Sequence, residues 1–389
     1  MPTAFFFLDH FWGERSGGAE WQTFLLCRAL REKGWEVHYV AENLTGKTGR
    51  TEETHGIRVH WLPLQWRSRL HPSQRRLFHS IRAIVDQVKP DVLYTRGNNC
   101  FTGIGVTHRI KHATRVRTVW GAAADWEISR NFYRERLRYY PKALWRKSLL
   151  WVDACIKDTD HASEIAEADC IVVQSEQQRA LVRERFRRDA QVLASSHEIP
   201  PEPTRKASPP SAIFVAHIGR RKRVELFVDL ARRCQNLPVR FVVVGDFSDP
   251  AHETEVRSSA RDVKNIEFSG PLSIEETNRR IAEATLLVST TDPGREGYPN
   301  VFIQAWMRNT PVLSLAHDPD GVLRHNSFLG ECTGTMDALI ADTRRLLVDP
   351  NLTEKMGRDA RKWAIDRHSY SANAGRIQSI FQSLLQRTS

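Results

Sequence analysis

The sequence predicts an α/β protein of two similar doubly wound domains with a cleft between them, and three observations predict it. At 389 residues the chain exceeds what one core fills, since single cores stop growing near ~250–300 residues. Short apolar runs alternate with helix-period runs in both halves, the pattern of parallel sheets covered on both faces. Between Ala194 and Ser211 the alternation stops, at two Pro-rich stretches (199–204 and 208–210) that cannot lie inside a sheet or helix. The expected division is a first domain over 1–198, a linker over 199–211, a second domain over 212–370, and a C-terminal helix over 371–389 that packs back on the first domain.

The elements follow in order. Phe5 to Leu8 reads as a buried strand. After Gly17-Gly18, the apolar positions Trp21, Phe24, Leu25, Leu26, Ala29 and Leu30 have helical spacing, closed by Gly34. Val37–Val40 and Ile57–Leu62 are the next strands. Leu77–Val88 is an amphipathic helix stopped by Pro90. Asp91–Tyr94, Arg117–Trp120 and Cys170–Val173 complete the strands of the first half. In the second half strands are expected at Ala212–Ala216, Val239–Gly245, Ile266–Phe268, Leu286–Val288 and Val312–Leu315. Helices are expected up to Cys234, over Glu275–Ala284 and after Pro299. Three more close the chain, near Met336–Leu347, Leu352–Arg367 and Ala372–Leu385.

Composition narrows the class. No apolar run reaches the roughly 18 residues of a membrane span, and the N-terminal run is too short and lacks the basic flank of a signal peptide. Six scattered cysteines form no close pair with metal-ligand spacing, which argues against a zinc site and for a reducing cytosol. A net charge of +11 favours an anionic partner, namely a nucleotide, a nucleic acid or an anionic lipid surface. No nucleic-acid-binding motif is present, and no repeat or low-complexity tract.

Three segments carry chemistry. The most specific runs from Gly294 through Glu296, Gly297, Tyr298, Pro299, Asn300 and Val301 to Gln304. A strand, a Gly/Pro turn and a helix start in succession suit a phosphate-bearing ligand, and Glu296 stands in the turn. The second is His217-Ile-Gly-Arg-Arg221-Lys222-Arg223, a basic cluster at the end of a strand; Lys or Arg there suits a diphosphate, and cations at a helix start oppose its dipole. Lys222 is the favoured member, and Arg220, Arg221 and Arg223 are not ranked. The third is Ser16-Gly17-Gly18-Ala-Glu20, where glycine lets backbone approach a ligand at a helix start; a plain tight turn reads equally well.

In this order and spacing the segments resemble the family-4 retaining glycosyltransferases of GT-B fold, the glycosyl transferases group 1 type. The resemblance also takes in Gly56–Pro63, Lys89–Val92, Ala168–Ser175, Val243–Gly245, Thr310–Val312 and Met356–Arg361. It implies two Rossmann-like domains facing each other across a cleft. It implies transfer of a hexosyl group from a nucleotide diphosphate sugar (UDP- or GDP-linked) with retained configuration, no metal and no other cofactor. Lys222 would neutralise the diphosphate, Glu296 would hold the donor sugar, and the backbone of Gly297 to Val301 would receive phosphate oxygens. Gln304 would meet the ribose, and Gly18 would approach the diphosphate.

Three positions depart from the family pattern. His217 stands where an Arg is usual, with Arg220 or Arg221 as the compensating cation. Gln304 replaces a Glu, a loss of charge assistance on the order of 1 kcal/mol, or about fivefold in affinity. Many members carry a His after the strand at Arg117–Trp120; here Asp125 and Glu127 are the nearest polar groups, and Asp125 is the candidate facing the acceptor. These departures keep a second class open, a non-catalytic nucleotide-sugar- or glycan-binding partner of another transferase. A nucleotide-sugar epimerase of the same fold fits the segment order less well.

Two stretches mix aromatic and basic residues. One holds Arg130, Phe132, Tyr133, Arg134, Arg136, Arg138, Tyr139, Tyr140, Lys142, Trp145, Arg146, Lys147 and Trp151. The other, Trp61 to Arg82, includes Trp66, Arg67, Arg69, Leu70, Arg75, Arg76 and Phe78. They read either as a solvated basic face over core aromatics or as a site for peripheral docking on the inner membrane, with access to a lipid-linked glycan acceptor. A cytoplasmic enzyme of polysaccharide assembly is the expectation.

Overall fold

The computed structural model describes residues 1–13, 17–43, 49–63, 68, 70–99, 101, 105–114, 116–137, 144–202, 205–294 and 296–386, with the side chains of 144–147 excepted. Of the positions named above, Ser16, Trp66, Arg67, Arg69, Arg138, Tyr139, Tyr140 and Lys142 lie outside the described residues, as do the side chains of Trp145, Arg146 and Lys147.

The chain forms β1 (Thr3–Phe7), α1 (Gly18–Glu32), β2 (Glu36–Asn43), β3 (Thr51–Thr54), β4 (Ile57–Pro63), α2 (Ser73–Val88), β5 (Val92–Arg96), α3 (Val106–Thr114) and β6 (Arg117–Gly121). Next come α4 (Phe132–Leu137), α5 (Leu144–Glu167), β7 (Cys170–Val173), α6 (Glu176–Phe186) and β8 (Gln191–Val192). The second half holds β9 (Ser211–Val215), α7 (Val224–Arg233), β10 (Arg240–Val244), α8 (Pro250–Ser259), β11 (Ile266–Gly270), α9 (Ile274–Glu283), β12 (Leu286–Ser289) and α10 (Asn300–Trp306). It ends with β13 (Val312–Ser314), α11 (Val322–His325), β14 (Gly330–Cys332), α12 (Met336–Val348), α13 (Pro350–His368) and α14 (Tyr370–Gln386). Two compact units result: Met1–Ser196 with Tyr370–Ser389, and His197–Ser369.

In the first unit the strand order is β3-β4-β2-β1-β5-β6-β7-β8, parallel except where β3 pairs antiparallel with β4. The period of two along β1 divides the core. Phe6 faces the layer of α1 and α14, with Leu26, Leu30, Ile377 and Phe381. Phe5 and Phe7 face the layer of α2 and α3, with Leu77, Ile81, Val85 and Ile110. Burial on both faces is why β1 reads as an unbroken apolar run. Helix α2 stops at Lys89, which takes left-handed backbone just before Pro90.

Strand β3 is one of the elements the sequence did not announce, as are the short strands β8 and β14. Thr51-Glu-Glu-Thr54 has no apolar alternation, because it is a half-exposed edge strand. Its one signal is His55-Gly56, both at positive φ (51° and 70°), the backbone of a tight hairpin.

In the second unit the order is β11-β10-β9-β12-β13-β14, all parallel. Ala212 and Phe214 pack with α7 and α12, while Ile213 packs with Phe302, Trp306 and Ala360 of α10 and α13. The chain runs outward from β9 to β10 and β11, then returns to place β12 on the other side of β9. This reversal is a topological switch point, where consecutive loops diverge and open a crevice at the strand C-termini. The first unit has its own switch point between β1 and β5.

Candidate functional site

The loops after β9 and β12 are stitched together at the second unit's switch point. Arg223 adopts left-handed backbone (φ 47°) between the turn Arg220–Lys222 and α7. Its guanidinium donates to the carbonyls of Thr290 (2.7 Å) and Thr291 (3.3 Å) and pairs with Asp292 (3.0 Å). The Thr290 hydroxyl contacts the Lys222 and Arg223 carbonyls, each at 2.8 Å, and the Asp292 amide donates to the Arg221 carbonyl (2.9 Å).

That framework sets Lys222 against Glu296, Nζ to Oε1, at 2.9 Å, with Arg221 3.9 Å from the same oxygen. Burial pushes the Glu296 carboxyl up, but Lys222 and Arg221, with His317, hold it below its usual range. His317 is buried, its Nε2 lies 3.1 Å from the Gly297 carbonyl, and burial lowers its pKa. A small pocket between the loops is lined by Ala216, Lys222, Ser289, Glu296, Pro299 and His317.

The four cations of the basic cluster therefore separate. Arg220 turns outward to Glu255 (3.0 Å) and Asp249 (3.4 Å) of the neighbouring helix region. Arg223 holds loop backbone, and Arg221 and Lys222 face Glu296. His217 is exposed and joins Asp246 (2.8 Å), whose carboxyl this contact lowers. Gly245 (φ 137°) permits the approach of β10 here: a Cβ would stand 1.7 Å from the Ala216 carbonyl oxygen.

Beyond Glu296 the segment turns inward. The Tyr298 ring is buried against Trp306 and His368, and burial raises its phenol pKa. Asn300 Oδ1 lies 3.2 Å from Nε2 of the buried His197. Pro299 precedes α10, Val301 is half-buried at the pocket, and Gln304 sits half-exposed one turn on, its carbonyl accepting from Arg308 (3.0 Å).

The remaining candidates lie in the first unit. Gly17 immediately precedes α1 in extended backbone, where a Cβ would stand 2.1 Å from the Glu20 carboxylate, and Gly18 is the first helical residue. Asp125 is buried and accepts from Gln178 (3.0 Å) and Gln177 (3.3 Å), so it serves there as an internal acceptor bracing α6. Glu127 is also buried and accepts from the amides of Asn98 (3.1 Å), Ala123 (3.0 Å) and Ala124 (3.0 Å). Burial raises its pKa and those amides oppose the rise. Sequence reasoning did not single out His161, which comes from α5 and sits fully buried, its Nε2 2.8 Å from the Glu127 carbonyl. Nor did it single out His317, and no local pattern marks either residue.

The two doubly wound units define a protein of GT-B fold. The chain matches Glycosyltransferase Family 4 over residues 16–194 and Glycosyl transferases group 1 over residues 195–363. It belongs to the family-4 type of group 1 glycosyltransferases, and sugar transfer in glycoconjugate biosynthesis is its class of activity. No curated protein sequence matches it.

Solved structures share the fold at low identity. Sucrose-phosphate synthase from Thermosynechococcus elongatus has a TM-score of 0.78 at 17% identity, covering 100% of each chain. Anabaena HepE in complex with UDP and glucose has a TM-score of 0.70 at 13% identity, covering 98% of this chain and 100% of that one. S. aureus TarM in complex with Fondaparinux, alpha-GlcNAc-glycerol and UDP has a TM-score of 0.71 at 9% identity, again covering 98% and 100%.

Proposed function

We propose that the protein is a retaining, metal-independent glycosyltransferase. It moves a hexosyl group from a UDP- or GDP-linked sugar to a glycan or lipid-linked glycan acceptor during polysaccharide assembly. The observation that carries this reading is the Lys222–Glu296 pair, 2.9 Å apart, at the switch point of the second unit. A cation beside a carboxylate suits the two halves of a sugar diphosphate. The Lys222 ammonium neutralises charge on the departing diphosphate, and Arg221 adds a second cation. The Glu296 carboxylate, held ionised by these neighbours, accepts hydrogen bonds from sugar hydroxyls. Gly297 to Val301 supply backbone at the start of α10, and Gln304 takes the ribose as an uncharged acceptor. Catalysis of this kind rests on positioning and on charge set in place before the reaction. UDP bound by HepE and by TarM supports a nucleotide-linked donor.

A second reading, a non-catalytic nucleotide-sugar- or glycan-binding partner of another transferase, is favoured by His217, whose ring joins Asp246 where the family pattern has an Arg. Incubation with a panel of UDP- and GDP-sugars separates the two. Nucleotide release supports the transferase, and tight nucleotide binding without release supports the partner.

Peripheral contact with an anionic membrane belongs to the same proposal. Phe132 and Trp61 are core residues, so the aromatic stretches are only partly a surface. Leu70, Leu149, Trp151 and Val152 remain 45–61% exposed. The Ser68 hydroxyl donates to Asp153 (3.1 Å), tying the segment before α2 to α5, and Arg75 and Arg76 are exposed on α2. Exposed apolar side chains beside cations suit a headgroup layer. Among the described residues no helix is long and apolar enough to cross a membrane. The protein should sediment with anionic liposomes at low salt, and Trp151→Ser should weaken this; no sedimentation at low or moderate salt counts against membrane contact.

A further inference from the structure

Three metal-ligating side chains converge in the first unit. His108 and His112 stand four residues apart on one face of α3, their ring centroids 4.6 Å apart. Glu167, the last residue of α5, reaches between them. Its Oε2 lies 3.0 Å from His108 Nδ1 and 2.7 Å from His112 Nε2. All three potential ligand atoms lie within 4.8 Å of one another. Helix α3 ends just before β6 and α5 just before β7, so the cluster sits at the N-terminal edge of the sheet. The loops that carry Gly97 and Glu127 are at the opposite edge.

Two further observations separate this cluster from an ordinary surface ion pair. His108 Nδ1 is a buried atom although it lies 3.0 Å from the half-exposed carboxylate. The backbone that carries the carboxylate is also held from behind. The Lys111 ammonium donates to the Glu167 backbone carbonyl (2.6 Å), and that cation is balanced by Asp169 (3.0 Å), which Arg117 also approaches (3.5 Å). A carboxylate fixed through its own backbone, facing two imidazoles on one rigid helix face, is the preorganisation a metal site needs.

We propose that His108, His112 and Glu167 form a zinc-binding site that straps α3 to the end of α5. Two imidazole nitrogens and one carboxylate oxygen are a zinc ligand set, leaving a fourth position for water. Magnesium, which takes oxygen ligands and keeps its waters, does not suit it. Zinc bound there ties the helix before β6 to the helix before β7 and takes no part in sugar transfer.

The test uses the full-length, untagged protein stripped with a chelator. Zinc chloride and, separately, magnesium chloride are titrated by calorimetry, and the thermal midpoint is read with and without each metal. The expected result is one zinc per chain and a midpoint raised by zinc alone, since a ligand bound only by the folded state stabilises it. His112→Ala and Glu167→Gln, both at exposed positions, should each weaken zinc binding at least about tenfold while the metal-free midpoint stays unchanged. No stoichiometric zinc binding, an equal response to magnesium, or undiminished zinc binding by His112→Ala would each overturn the proposal.

Discussion

At the scale of single residues, the site depends on how neighbouring side chains divide their partners. Four cations crowd one turn in sequence, where Lys222 is the favoured one and nothing ranks the three arginines. Arg220 is paired with Glu255 and Asp249, Arg223 with loop carbonyls, and only Arg221 and Lys222 face Glu296. Arg221→Ala should therefore raise the donor KM several-fold, an effect on the order of 1 kcal/mol. Arg220→Ala should leave it within twofold, because that side chain serves a surface ion pair. Steady-state kinetics with the preferred donor distinguishes them, and equal effects from both would contradict the assignment. Lys222 and Glu296 could be nominated from sequence because each follows a recognisable strand end. Their pairing was not legible, since it depends on β12 returning beside β9. His317 was invisible for the same reason: it reaches the site from beyond β13.

At the scale of elements, the strands and helices with clear periodicity could be read, and those defined by tertiary partners could not. β1 and α1 declared themselves through burial, whereas β3, polar and at an edge, showed only its His-Gly turn. The Pro-rich stretch was legible as a break in the pattern, but its anchoring was not. Lys206 within it donates to the carbonyls of Ala282 (3.0 Å) and Ala284 (2.8 Å) at the end of α9 and to the Thr310 hydroxyl (2.8 Å). The ammonium thus satisfies carbonyls that a helix end leaves unpaired. Lys206→Met should cost about 2–4 kcal/mol by leaving several buried acceptors without a donor. Urea denaturation of the two proteins checks this, and an unchanged midpoint would mean that water replaces the ammonium without loss.

At the scale of the whole molecule, the chain leaves the first unit after Ser196 and re-enters it at Tyr370. Helix α14 completes the first core. Phe381 is fully buried, and its ring neighbours are Phe6 (6.3 Å), Trp35 (5.6 Å) and Tyr94 (6.3 Å). The Tyr370 hydroxyl donates to Glu32 (2.8 Å), and the Arg28 guanidinium lies 4.1 Å from the Tyr370 ring centroid. Phe381→Ala should destabilise the first unit by about 3–5 kcal/mol, the usual loss for emptying a buried aromatic site. Differential scanning calorimetry should show one transition moved down; an unaltered profile would place α14 outside the cooperative core.

The central claim is that Lys222 and Glu296 make this chain an active transferase despite His217 and Gln304. The most direct measurement is nucleotide release from UDP- and GDP-sugars by the wild-type protein, Lys222→Ala and Glu296→Ala. The account predicts release from at least one donor by the wild type, and a loss of at least about 100-fold in each variant, the scale of removing one charge-stabilising group. Wild-type protein that neither releases nor binds a nucleotide, or variants that keep wild-type turnover, would contradict it.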